Sequence, residues 1–268
     1  MASPRVLVLT GYGINCEEET AWAFTACGAQ CRIIHVNDLI TAPARLDEYQ
    51  IFVVPGGFSY GDDTGSGNAL ANKMRHTLWA ELMEFVAGDR LVLGICNGFQ
   101  VLVNLGLLPG GPEAGEFGRR RAALIANRST RYECRWVELV TGNSPTAFLT
   151  GIKRLHLPVA HGEGRFHAPD EVLAELREKR GIALRYADAA GHPAGGAFPA
   201  NPNGSLDDIA GITAASGRIF GLMPHPERAF KASQLPDWPA RAALEKAPDS
   251  SAPGPGRALF VNAVNYFH

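Results

Sequence analysis

Short, uniformly apolar runs alternate with amphipathic stretches from Val6 to Leu105. Val6 to Leu9, Cys31 to Val36, Ile51 to Val54 and Leu91 to Ile95 read as strands. Each is too short for a helix and, apart from Arg32 and His35 in the second, free of polar side chains, as expected of strands covered on both faces. Helix patterns lie between them at Cys16 to Ala26, Ala69 to Val86 and Asn97 to Leu105. Asn15 is placed to cap the first, and Glu17, Glu18 and Glu19 fill its first turn, where negative charge is favoured. Gly28 ends that helix, while Gly106 and Pro109 stop the last. Thr10 to Asn15 and Phe58 to Gly67 are glycine-containing loops.

The pattern changes after Leu105. Tyr132 to Val140 and Lys153 to Val159 are longer and partly alternating, which suits antiparallel strands. Pro169 to Lys179 is a helix, and Ala183 to Tyr186, Ile209 to Thr213 and Arg218 to Leu222 are short strands. Asp188 to Gly204 is a Gly/Pro/Asn-rich loop, and Ser216-Gly217 a turn. Lys231 to Gly256 is Pro-rich and reads as irregular, and Ala258 to Phe267 closes the chain as a helix. The pattern predicts an α/β fold: a doubly wound, mainly parallel sheet with helices on both faces and a partly antiparallel extension. Without an internal repeat or a linker, residues 1–268 read as one domain. Met1 stands directly before the first strand, which suggests a separate polypeptide.

Composition narrows the class. With 268 residues, 46% hydrophobic and 19% charged, the chain can fill a large core. A net charge of −2, with no basic patch interleaved with aromatics, argues against a nucleic-acid partner. The one basic run, Arg119 to Arg121, reads as a solvated connection or contact surface. Five cysteines without framework or zinc spacing suit a reduced, cytoplasmic setting, and no metal site is expected. No apolar run reaches membrane-spanning length, and the first strand is too short for a signal sequence.

Ligands of such sheets bind outside the carboxyl ends of the strands. There, Gly94-x-Cys96-x-Gly98 repeats the logic of a nucleophile elbow: a strand, a tight turn with glycines on both sides, then a helix whose N-terminus favours negative charge. The plain alternative is a buried cysteine at a strand end. A thiol nucleophile needs a base and an orienting acid, and His225-Pro226-Glu227 offers both after another apolar strand. In an extended segment, side chains two apart point the same way, so Glu227 can hold His225. Oxyanion donors are available from the N–H of Asn97 and from Pro55-Gly56-Gly57, with Gly57 preferred. Gly11-x-Gly13-x-x-Cys16 is a degenerate dinucleotide loop, weakened by Cys16 in place of the third glycine. Gly61-Asp62-Asp63 reads as a turn in preference to a Mg²⁺ site, and His161 and Glu163 as a wall of the crevice.

Pro55-Gly56-Gly57-Phe58-Ser59-Tyr60-Gly61-Asp62, Gly94 to Gln100, Tyr132 to Trp136, His161 to Phe166 and Met223 to Arg228 together resemble the class I (triad) glutamine amidotransferases. Among these they look like the glutaminase components of phosphoribosylformylglycinamidine synthases, over about Arg5 to Arg228. The resemblance implies glutamine hydrolysis by Cys96, His225 and Glu227, with ammonia supplied to a synthetase component in de novo purine synthesis. It implies substrate contacts from Gln100, His161 and Gly162, and a small accessory subunit as a further partner. No ATP site is visible, so no cofactor is expected in this chain, and ATP and Mg²⁺ are expected in the partner synthetase. A cysteine-elbow redox sensor or binding module of the same fold is the alternative. Cys16 is expected to be structural.

Overall fold

A computed structural model describes residues 3–111, 115–214, 217–244, 246 and 248–268. Ser216 of the expected Ser216-Gly217 turn lies outside the described residues. The strands β1 (Arg5–Thr10), β2 (Gln30–His35), β3 (Ile51–Val54), β4 (Leu91–Ile95), β6 (Glu133–Thr141), β7 (Arg154–His161), β9 (Ile182–Ala187), β10 (Ile209–Ala214) and β11 (Ile219–Leu222) form one nine-stranded sheet. Its order is β2-β1-β3-β4-β11-β10-β9-β6-β7. β2, β1, β3, β4 and β11 run parallel; β10, β9, β6 and β7 continue antiparallel. A separate two-stranded ribbon pairs β5 (Ala123–Ile125) with β8 (Arg165–His167). The alternation between apolar runs and helices thus gives the mainly parallel sheet with an antiparallel extension.

β3 and β4 are buried at every position because helices cover both faces, whereas β6 alternates buried and half-exposed residues. The helices are α1 (Glu17–Ala26), α2 (Val36–Thr41), α3 (Asn68–Thr77), α4 (Trp79–Ala87), α5 (Asn97–Leu105), α6 (Asp170–Glu178), α7 (Trp238–Ala243) and α8 (Arg257–Asn265).

Four elements differ from the pattern reading. Cys16, not Asn15, holds the cap position of α1 and makes no side-chain cap bond, so the three glutamates alone favour this end. α2 follows β2 directly, where His35 Nδ1 accepts from the N–H of Asn37 at 3.1 Å. The pattern from Ala69 to Val86 is broken at Leu78 (φ −131°, ψ 8°). There α3 packs on α5 and α4 on the turn Pro43–Glu48, so one apolar stripe must bend to serve two partners. The Pro-rich 231–256 segment contains a 3₁₀ turn at Ala232–Gln234 and α7, with a proline in the first turn of the helix. It returns to the chain before it: Ala232 N–H donates to Ala252 O at 2.8 Å, and Gly254 N–H to Phe230 O at 2.7 Å.

Candidate active site

The elbow forms where β4 meets α5. Cys96 has φ 51° and ψ −106°, a region an L-residue enters at a cost and keeps only when its surroundings hold it. Its N–H donates to Leu222 O at 2.8 Å, locking the turn onto β11. The two glycines face each other: a Cβ at Gly94 would sit 2.7 Å from Gly98 O. Cys96 is 5% exposed, and its thiol faces Ala160 O at 3.7 Å, at the end of β7.

His225 follows β11, and its N–H donates to Pro158 O at 2.9 Å. Glu227 does not reach it along an extended segment as expected, because Pro226–Ala229 is a 3₁₀ turn that starts just after His225. The turn still brings Glu227 Oε1 to 2.5 Å from His225 Nδ1, with both side chains buried. That contact leaves Nε2, which is buried without a partner among the described residues. Burial opposes charging this ring, but the Glu227 carboxylate, with Cys96 and Cys16 behind it, holds its pKa well above the usual histidine value. Both thiols therefore bear on His225, although only Cys96 sits on the elbow.

Cys16 stands on the far side. Its Sγ, a ring nitrogen of His225 and a carboxylate oxygen of Glu227 lie within 4.8 Å of one another, the one such group of candidate metal ligands among the described residues. A Cβ at Gly56 would meet His225 Cε1 at 2.8 Å and Cys16 Sγ at 3.0 Å, so only glycine fits between them. Arg228 Nη2 donates to Cys16 Sγ at 3.0 Å, setting a cation beside this group. Cys16 is fully buried, and burial raises its pKa, against lowering by His225 and Arg228. Sequence reasoning took Cys16 as structural and gave Arg228 no role, since nothing local places either against the histidine.

The expected oxyanion donors line the same end of the sheet. Asn97 opens α5, where the first N–H groups have no intrahelical acceptor. Gly57 has φ 150°, and a Cβ there would lie 2.6 Å from Gly13 O and 2.7 Å from Ile14 Cα. Phe58 N–H to Gly13 O at 2.7 Å and Asn15 N–H to Gly56 O at 3.3 Å bracket Gly57 and leave its own N–H outside the pair. The Thr10 to Asn15 loop is thus pinned to the glycine turn.

Gln100 is 4% exposed and both ends of its amide are used. Oε1 accepts from Asn97 Nδ2 at 2.9 Å, and Nε2 donates to Glu163 O at 2.7 Å. It braces the crevice wall instead of pointing an open amide into it. His161 is buried against Asn127: Oδ1 of Asn127 lies 3.1 Å from His161 Nδ1 and accepts from Gly164 N–H at 3.0 Å. An amide oxygen can only accept, so Nδ1 carries the proton and Nε2 holds a lone pair, buried without a partner among the described residues. Burial, with His225 nearby, lowers the His161 pKa to about 3, so the ring is neutral. Gly162 O accepts from Asn127 N–H at 2.9 Å. Tyr132, 52% exposed, forms the outer rim with Phe58, their ring centroids 6.3 Å apart. Asn127 has no signal in the sequence, because its partners come from a distant turn.

A strained thiol beside a histidine–carboxylate pair, near free N–H groups, has the parts for nucleophilic attack on an acyl carbon. The profile of the CobB/CobQ-like glutamine amidotransferase domain matches residues 3–267. A phosphoribosylformylglycinamidine synthase subunit PurQ of Methanococcus maripaludis is 48% identical over 270 residues, covering 99% of this chain and 98% of that protein. Its counterpart in Dehalococcoides mccartyi is 44% identical, covering 99% and 98%. The solved structure of PurLQS from Thermotoga maritima contains a chain that superposes with a TM-score of 0.71 at 29% identity, covering 99% of this chain and 100% of that one.

Proposed function

We propose a reaction for this chain, which belongs to the CobB/CobQ-like glutamine amidotransferase domain family: it hydrolyses glutamine and supplies the ammonia to a synthetase that makes phosphoribosylformylglycinamidine in purine synthesis. The observation that carries the reading is Cys96, at positive φ on the β4–α5 junction, whose thiol bears on the buried His225 held by Glu227.

Cys96 Sγ attacks the side-chain amide carbon of glutamine. The thiol proton passes to His225 Nε2, the nitrogen its carboxylate contact leaves free, ahead of attack, and the charged ring then hands it to the departing ammonia. The N–H groups of Gly57 and Asn97 hold the oxyanion that forms on attack. Water then opens the glutamyl thioester with His225 as base, releasing glutamate and restoring the thiol. Glu227 fixes the ring and stabilises its charged form. His161 and Gly162 face the amino-acid end of the substrate, and Gln100 holds their turn in place through Glu163.

Cofactor use belongs to the partner: the synthetase consumes ATP with Mg²⁺, and this chain needs neither for hydrolysis. A small accessory subunit completes the complex. The reaction takes place in the cytoplasm, where free thiols such as those of this chain stay reduced. No helix among the described residues is long and apolar enough to cross a membrane.

A second reading makes Cys16 the nucleophile, since it groups with His225 and Glu227 within 4.8 Å. Its full burial, which raises its pKa, and its place off the elbow disfavour it. A glutamine-analogue affinity label followed by peptide mapping decides: a Cys96 adduct supports the first reading and a Cys16 adduct the second. Glutamine hydrolysis stimulated by the synthetase partner tests the reaction itself; no hydrolysis with the partner present overturns it.

A further inference from the structure

Behind the wall that carries His161 lies a cavity of about 610 Å³, bordered by Arg128, Arg165, His167, Gly204 and Asp208. It has no place in the glutaminase reaction. Its charge balance is unusual. A Cβ at Gly204, a residue with φ 80°, would sit 2.9 Å from Arg128 Cβ, 3.3 Å from Arg128 Cδ and 3.5 Å from Arg165 Cδ. The two arginine stems therefore converge on one point that only a glycine leaves open. Neither guanidinium has an ion-pair or hydrogen-bond partner among the described residues, and Nε of Arg165 is buried without one. Arg128 is exposed and Arg165 half-buried, so the cost falls on Arg165, whose desolvated Nε–H lacks an acceptor.

The nearby carboxylates do not relieve them. Asp208 is spent on the N–H groups of Gly195 and Gly196, at 2.7 and 2.8 Å, and on Asn201 Nδ2 at 2.8 Å. Asp207 is held by both donors of Arg177, at 2.6 and 2.8 Å. The cavity is thus lined by two permanently charged arginines beside His167, without a carboxylate committed to either, and guanidinium groups suit phosphate oxygens. The volume exceeds that of one phosphate and falls in the range of small-molecule sites.

We propose that this cavity is a binding site for the phosphate group of a small ligand, held by Arg128 and Arg165. The cavity borders the amide network behind the active-site wall. Arg128 N–H donates to Asn203 O at 2.9 Å, and Asn203 Nδ2 to Gly164 O at 2.8 Å. The assignment rests on the cavity alone and does not depend on the identity of the nucleophile.

Isothermal titration of the full chain with inorganic phosphate and with ADP tests it. Saturable one-to-one binding is expected, weakened about tenfold or more in Arg128→Gln and in Arg165→Gln. Arg90→Gln, which removes a distant arginine paired with Asp47, controls for the loss of general charge and leaves binding unchanged. Equal affinity for the two probes identifies free phosphate as the ligand; tighter ADP binding identifies a nucleotide, and both support the site. No saturation by either probe at about 10 mM, or losses equal to that of Arg90→Gln, overturns it. Thermal unfolding of each variant separates loss of the site from loss of the fold.

Discussion

A β-carbon on Gly98 would lie 1.7 Å from the carbonyl oxygen of Val54, so the start of α5 rests on β3 only because a hydrogen stands there. The same contact sets the height of Cys96 above the sheet. Gly98→Ala must push the helix off the strand. A loss of stability of about 3 kcal/mol is expected, the upper end for overpacking. The denaturant midpoint measures it, and an unchanged midpoint would show that α5 has freedom to move.

The two thiols on His225 should separate cleanly. Cys96→Ala is expected to lower glutamine hydrolysis by about a thousandfold or more, as loss of a nucleophile does. Cys16→Ser, which keeps a small polar group between Arg228 and His225, is expected to keep turnover within about tenfold. Steady-state kinetics with the synthetase present reads both. The reverse ranking would transfer the nucleophile role to Cys16.

Glu227 offsets the burial that would otherwise keep His225 neutral. Because the folded pKa is raised, the ring holds its proton to higher pH than a free histidine. Activity that needs the charged ring is lost as pH rises through that value. Glu227→Gln removes the carboxylate and leaves burial dominant, so the alkaline limb of the kcat profile should move to lower pH, with kcat down about a hundredfold or more. An unmoved limb would assign Glu227 a packing role only.

His161 titrates in the opposite sense. Its folded pKa, lowered to about 3 from 6.5, lies below that of the unfolded chain. Its contribution is therefore full above the unfolded pKa and is lost as pH falls from about 6.5 toward 3. The slope from this one group reaches at most about 1.4 kcal/mol per pH unit. Denaturant unfolding at a series of acid pH values should show a flatter decline for His161→Gln than for the unaltered chain. Identical slopes would place the acid sensitivity elsewhere.

Much of this architecture is written locally. β3 and β4 are uniformly apolar, and a strand buried on both faces can be little else. The elbow is legible because Gly94 and Gly98 flank Cys96 at the spacing a strand-to-helix turn demands. His225 and Glu227 are visible as neighbours, although the backbone that joins them is a 3₁₀ turn and not an extended segment. The kink at Leu78 is hidden, because the apolar stripe runs on through it and only the partners change.

The sequence by itself determined the strands, the thiol on its turn and the acid beside the base, since each follows from the shape and spacing of adjacent residues. The tertiary structure decided which groups surround them. Cys16 meets Arg228 across the β1 and β11 loops, and Asn127 fixes the proton of His161. Arg128 and Arg165 converge over Gly204 without a counter-charge. These contacts join residues far apart in the chain. Their distances depend on how a nine-stranded sheet stacks its loop ends, which no local pattern encodes.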